Sequence, residues 1–256
     1  MTTTNAPTHA PVQYVQRLAD NALILGQRIS EWCGHSPVIE EDMALTNMAL
    51  DLIGQARLLL THVGQIDGSG RDEDQLAFLR PEQQFRNLTL CELPNGDFAR
   101  TVLRNFFFAT FHSLLWEKLS TSADASLAAI AAKSLKESRY HQRHAAGWVV
   151  RLGDGTEESH RRMAEALDYL WPYTAEFFSP TAEDDVAVSG GFGPAWSELK
   201  ADWLAQVRPV LKEATLDLPE ESRFLSTGKL GRHSEHMGHL LTPMQYLQRS
   251  YPGAQW

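Results

Sequence analysis

Residues 106–116 read FFFATFHSLLW. Wound as a helix, this run places apolar side chains on almost every side, so a helix through it sits in the middle of a bundle rather than at its edge. Pro94, Asn95, Gly96 and Asp97 lie upstream. They read as a turn ending in an N-cap, since an Asp side chain accepts the free amide hydrogens of a first helical turn. The central helix is therefore expected over about 98 to 120.

Toward the N-terminus, Val15, Leu18, Ala22, Leu25, Ile29 and Trp32 step by three and four, which predicts a helix from about 12 to 33. Gly34, His35, Ser36 and Pro37 end it. A second helix, about 40 to 64, carries Leu45, Met48, Leu52, Leu59 and Val63 inward, with Glu40, Glu41 and Asp42 at its positive end. The two form a hairpin. Residues 67–75, DGSGRDEDQ, predict an exposed loop, and a short helix is expected over 76–91. Past the centre, helices are expected over 124–152, 157–178, 195–214 and 234–250, with a loop over 180–194. Strand signals and 20- to 50-residue repeats are missing from the sequence. The expectation is one all-α, ferritin-like helical bundle over residues 1–256, with flanking helices and a disordered stretch 1–11.

Composition narrows the function. With 43% hydrophobic residues, a large core is expected. A net charge of −9 argues against a nucleic-acid partner. The opening MTTTNAPTHAPVQ has no basic and apolar leader, and no apolar run nears 18 residues, so no membrane partner and a cytoplasmic location are expected. Cys33 and Cys91 are expected to be core thiols. The apolar helix 98–120, with tryptophans at several helix ends, predicts more hydrophobic surface than one domain buries, hence a protein partner.

Bundles of long helices can hold a di-iron site through one carboxylate from each of two helices and a Glu-x-x-His pair from each of the other two. Residues three apart share a face, so such a pair reaches one metal from a single helix. The only literal Glu-x-x-His, Glu157 to His160, lies in a polar helix start with no apolar seam. Looser pairs occur at Glu31/His35, Glu137/His141 and Glu235/His239. The core seams decide more. On helix two the stripe Leu45, Met48, Leu52, Gln55, Leu59 holds a single amide; on helix four the stripe Ala131, Ser134, Ser138, His141, Ala145, Trp148 holds a single imidazole. Leu25 and Ala109 or Thr110 occupy the heights where the other helices would supply ligands. One imidazole and one amide without an inward carboxylate would not hold two irons against water. Neither a catalytic nor a metal-ligating residue is expected in this bundle, and Gln55 and His141 read as buried polar groups that need hydrogen bonds.

Residues 228–239, GKLGRHSEHMGH, form the other cluster. Lys229, Arg232 and His233 ahead of a helix that Ser234 could cap suit an anion, either a substrate phosphate or an acidic partner. A plain cap and a mononuclear metal site built from His233 to His239 stay open as alternatives.

The stretches LADNALILGQRISEWCGHSP, LDLIGQARLLL, ELPNGDFA, IAAKSLKESRYHQRHAAGWVVRLGDGT, TGKLGRHSEHMG and MQYLQRSYPGAQW resemble the structural, or C, subunits of multicomponent phenylacetyl-CoA epoxidases over nearly the whole chain. The resemblance implies a ferritin-like fold and pairing with a homologous catalytic subunit that holds the di-iron centre, alongside other epoxidase subunits. It implies no cofactor in this chain, since NADPH, FAD and an iron-sulfur centre belong to a reductase subunit. The catalytic relative's Glu-Ala-Gly-His motif falls here on Leu52, Ile53, Gly54 and Gln55. Its Glu-Ser-Phe-His motif falls on Ser138, Arg139, Tyr140 and His141. Three of those four ligand positions are lost, which agrees with the seams. A stand-alone metalloenzyme and a scaffold for an unrelated partner are the competing readings.

Overall fold

The computed structural model describes residues 8–254, which form helices and irregular segments and, among the described residues, no strand. Four long helices make the bundle: α1 (Val12–Ser30), α2 (Ile39–Ile66), α5 (Phe98–Leu119) and α6 (Ala125–Gly153). Short turns join α1 to α2 and α5 to α6, so each pair packs as an antiparallel hairpin. Between the hairpins run α3 (Glu73–Phe78) and α4 (Thr89–Glu92). After α6 come α7 (Glu157–Leu170), α8 (Ala182–Ser189), α9 (Lys200–Glu213) and α10 (Glu235–Ser250).

As its composition demands, α5 is the axis, with 17 of its 22 residues buried and Asp97 capping it through a 2.9 Å bond from the Arg100 amide. The hairpin α1–α2 and helix α6 cover much of it, while α7, α9 and the 3₁₀ segment Trp171–Phe178 close its remaining flank. The tryptophans follow it inward. Trp116, Trp196 and Trp203 are fully buried, correcting the expectation of surplus aromatic surface at helix ends.

Three segments depart from expectation for local reasons. Residues 76–91 are not one helix, because Pro81 separates α3 from a 3₁₀ turn, Glu82–Gln84, and α4. The 180–194 stretch is not all loop: Thr181 and Asp184 form a capping box, the Thr181 amide donating to the Asp184 carboxylate at 2.9 Å, and this starts α8. The 157–178 helix tightens to 3₁₀ geometry at Trp171, one residue before Pro172. Cys91 is buried as expected, but Cys33 lies exposed in the turn after α1.

Of the stretch expected to be disordered, residues 1–7 lie outside the described residues, whereas Ala10 is buried and tied down. Its amide donates to Asp124 Oδ2 at 3.0 Å, and His62 Nε2 lies 2.8 Å from the same oxygen. Asp124 Oδ1 accepts from the Ser126 and Leu127 amides and so caps α6. Burial pushes this carboxyl's pKa up, but the bonds from the Ala10 amide, His62 and the Leu127 amide outweigh burial and leave it below the usual range. Asp124→Ala should therefore lower stability by about 3 kcal/mol, combining a lost cap with an orphaned buried imidazole. Urea unfolding measures the loss, and a change below about 1 kcal/mol would show that the cap bonds are replaced by water.

Candidate functional site

The centre of the bundle is where four helices could jointly hold a ligand. There Leu25 and Ile29 of α1, Met48 and Leu52 of α2, Asn105, Phe108, Ala109 and His112 of α5, and Ser138 and His141 of α6 surround a void of only about 10 Å³. The positions predicted from the seams do converge: Leu25, Leu52, Ala109, Ser138 and His141 meet at one place. Gln55 is equally buried but does not line it. The chemistry that converges is an isobutyl group, a second isobutyl group, a methyl, a hydroxyl and an imidazole. Among the described residues no carboxylate lines the void, and its size is at the lower limit for a single water. These residues do not fit a di-iron group, which needs carboxylates to neutralise and bridge its charge.

The polar groups around the void turn outward or stay unpartnered. His141 Nε2 lies 2.9 Å from Asp51 Oδ2, Gln55 Nε2 donates to Glu137 Oε2 at 2.8 Å, and His144 Nε2 lies 2.9 Å from Glu41 Oε2. Each of the three bridges joins α2 to α6. These carboxylates escaped the sequence reading because Asp51 and Glu137 sit one position off the inward stripes, where side chains reach the seam from its rim. Glu137, suggested as a partner for His141 on its own helix, instead reaches Gln55. Burial, with a smaller push from His141, lowers the pKa of His112 to about 3, so it is neutral at pH 7. The Ser138 hydroxyl, the Asn105 carbonyl and His112 Nε2 have no hydrogen-bond partner among the described residues.

The loop that suggested an anion site is built differently. Lys229 is buried, its ammonium bonding the Ser179 carbonyl and lying over the Trp196 ring, and burial lowers its pKa to about 8 despite nearby Asp184 and Glu176. The Lys229 amide is held by Glu176, which also accepts from the Thr89 amide and the Ser226 hydroxyl. His233 is also inside, with Nδ1 2.7 Å from Glu92 Oε2 and Nε2 3.1 Å from the Phe85 carbonyl. Burial opposes its charge, but Glu92 and the Phe85 carbonyl outweigh that and raise its pKa. Ser234 does start α10, yet its hydroxyl caps nothing; its amide donates to Glu92. Only Arg232 of the three predicted residues is exposed. Glu92 and Glu176, the buried acids that organise this corner, left no periodic signal, since both lie in short irregular segments.

Among the described residues one group of three potential metal donors gathers, His9, His62 and Asp124, and the 233–239 histidines do not. Both Asp124 oxygens are already engaged by backbone amides and His62, so the trio reads as the latch described above.

The chain is an all-α, ferritin-like bundle in which Leu25, Leu52, Ala109 and Ser138 meet at the centre without a carboxylate. The model of the family described as phenylacetic acid catabolic protein matches residues 1–256, and the chain belongs to that family. It is 49% identical over 244 residues, 95% of this chain and 98% of the relative, to the subunit designated C of 1,2-phenylacetyl-CoA epoxidase from Escherichia coli (strain K12).

The geometry separates two roles within the 228–233 loop. Lys229→Ala should lower stability by about 2 kcal/mol, because it empties a buried site and orphans the Ser179 carbonyl, whereas Arg232→Ala should leave the melting temperature unchanged. Thermal unfolding of the two variants tests this, and equal effects would overturn it. The His233–Glu92 pair gives a pH signature. A raised pKa in the folded state means that the contribution is complete below the ordinary value of about 6.5 and is lost as pH rises through the raised value. Wild-type stability should fall on that account as pH rises above about 6.5, and Glu92→Gln should flatten this limb of the profile.

Proposed function

We propose that this chain is a non-catalytic structural subunit of a phenylacetyl-CoA epoxidase, pairing with and stabilising a homologous subunit that holds the di-iron centre, in the cytoplasm. The complete enzyme inserts one oxygen atom into the aromatic ring of phenylacetyl-CoA. A reductase subunit that holds FAD and an iron-sulfur centre supplies the electrons from NADPH. This chain contributes none of these cofactors. The observation that carries the reading is the bundle centre, where Leu25, Leu52, Ala109 and Ser138 stand at the heights that would have to supply acids. Identity to a relative named as an epoxidase subunit supports the assembly. No helix among the described residues is long and apolar enough to cross a membrane, in keeping with the cytoplasmic placement. Of the predicted CoA-phosphate or partner contact, Arg232 alone remains free to face such a group.

Iron analysis and turnover assays on the chain alone, the di-iron subunit alone and the co-expressed pair test the proposal. Iron should follow the partner, and the pair should be active with the reductase present. About two irons on this chain, or turnover without the partner, would overturn it. Leu52→Glu with Ser138→Glu should not create a site, because Leu25 and Ala109 still supply no acid. It should instead destabilise the bundle by about 4 kcal/mol through unpaired buried carboxyls. Iron binding by that variant would refute the reading of the bundle centre.

A further inference from the structure

We infer that the outer face shared by α2 and α6 is the docking surface for the partner subunit, and that the partner presents to it a helical face that is apolar against α2 and acidic against α6. This inference rests on the proposed pairing with another epoxidase subunit.

Two independent patterns meet on this face. Along α2, Ile39, Met43 and Leu50 are 73%, 62% and 60% exposed and recur at helical spacing, with Leu58 about two further turns on. Single exposed apolar residues are ordinary, but a stripe along one helix face calls for a cover. Leu50 and Leu58 line a groove together with Gly54 of α2 and with Lys133, Ser134 and Glu137 of α6, which places both helices on one surface. Tyr140, 45% exposed, continues it on α6 beside His141 and His144.

Charge supplies the second pattern and chooses the occupant. Helix α6 carries five Lys and Arg side chains against one carboxylate, Glu137, in a chain whose net charge is −9. Lys133, Lys136 and Arg143 are exposed and make no ion pair among the described residues. Asp51 and Glu137 turn to the α2–α6 seam, where they meet His141 and Gln55, and Glu41 lies beside His144. The α6 half of the face is thus rich in exposed Lys and Arg beside the apolar stripe of α2, whose own acids are Glu40, Glu41, Asp42 and Asp51, so the complement is a protein surface that is apolar against α2 and acidic against α6. A second copy of this chain offers that complement poorly, since its α6 is rich in Lys and Arg too. Extent agrees: α2 has 28 residues, so two helices side by side cover about 40 by 20 Å, roughly the 800 Å² that each partner contributes to a standard interface. Backbone access agrees as well, because a Cβ atom added at Gly54 or Gly147 meets nothing within 4 Å.

The test uses the full chain and the co-purifying epoxidase subunits. Gly54→Trp leaves the isolated fold unstrained but fills the groove, and Met43→Glu with Leu50→Glu places acids in the apolar stripe. Each should raise the Kd for the partner roughly 30-fold or more, as loss of a central anchor does, with the melting temperature of the isolated chain unchanged. Lys133→Glu, Lys136→Glu and Arg143→Glu together should weaken binding and remove most of its salt dependence. Val186→Glu, on the exposed side of α8, should have no effect. Without any substitution, hydroxyl-radical footprinting should show Met43 and Tyr140 protected in the complex and reactive in the free chain. If wild type binds no epoxidase subunit, the pairing itself fails. If wild type binds but these variants bind equally well, or Met43 and Tyr140 stay reactive, the pairing stands and the docking face is wrong. Self-association of the chain abolished by Met43→Glu with Leu50→Glu would assign the face to a second copy and overturn the proposed occupant.

Discussion

A helix that is apolar on every side cannot exist beside water, and α5 imposes that condition on the rest of the molecule. Covering Phe106, Phe107, Phe108 and Phe111 at once requires neighbours in all directions. The α1–α2 hairpin and α6 cover what a four-helix arrangement can. The remaining flank falls to later segments, in which Trp171, Phe177, Phe178 and Trp203 interlock with Phe107 and Phe111 at ring separations of 4.9 to 6.0 Å. The flanking segments α7 and α9 and the 3₁₀ turn between them are thus the lid of the core rather than an appendage to it.

Irregular segments carry backbone groups without helical partners, and buried side chains from distant parts of the chain satisfy them. Asp20 of α1 accepts from the Arg80 guanidinium and the Arg86 amide. Glu92 takes the Ser234 amide, and Glu176 takes the amides of Thr89 and Lys229. Arg28 donates to the Glu92 carbonyl at 2.8 and 2.9 Å. Removing one partner would strand a charge in the core, so these ties hold the order of the segments more firmly than their net contribution to stability suggests. The buried Lys229 and His233 belong to this network. An apparently basic loop is here a set of struts.

The long helices were legible because periodicity survives in any segment that turns one face to a core, and α2 and α6 run within about two residues of their expected bounds. The bundle centre was legible for the same reason, since Leu52, Ser138 and His141 lie on stripes readable at spacings of three and four. What failed to show in the sequence was pairing at long range. Nothing local in Glu92 or Glu176 says that it will be buried, and the basic residues of 228–233 look alike until the fold decides that Lys229 and His233 turn inward while Arg232 does not. The α8 helix was hidden by a glycine-bearing stretch whose first half is capped and whose second half is not.

At the bundle centre apolar side chains, and not acids, fill the space between the four helices. Four or more buried carboxylates around no metal would repel one another, and each would bear the full penalty of desolvation. Leucine at 25 and 52 and alanine at 109 remove that penalty and fill the volume, leaving a void no larger than one water. The His141 ring serves the seam through Asp51. Ser138 and His112 hold polar atoms without partners among the described residues beside the void. The α2–α6 seam is held by imidazole, amide and carboxylate bridges at its rim. The basic character of the outer side of α6 comes from its own composition, five Lys and Arg against Glu137, and not from those bridges.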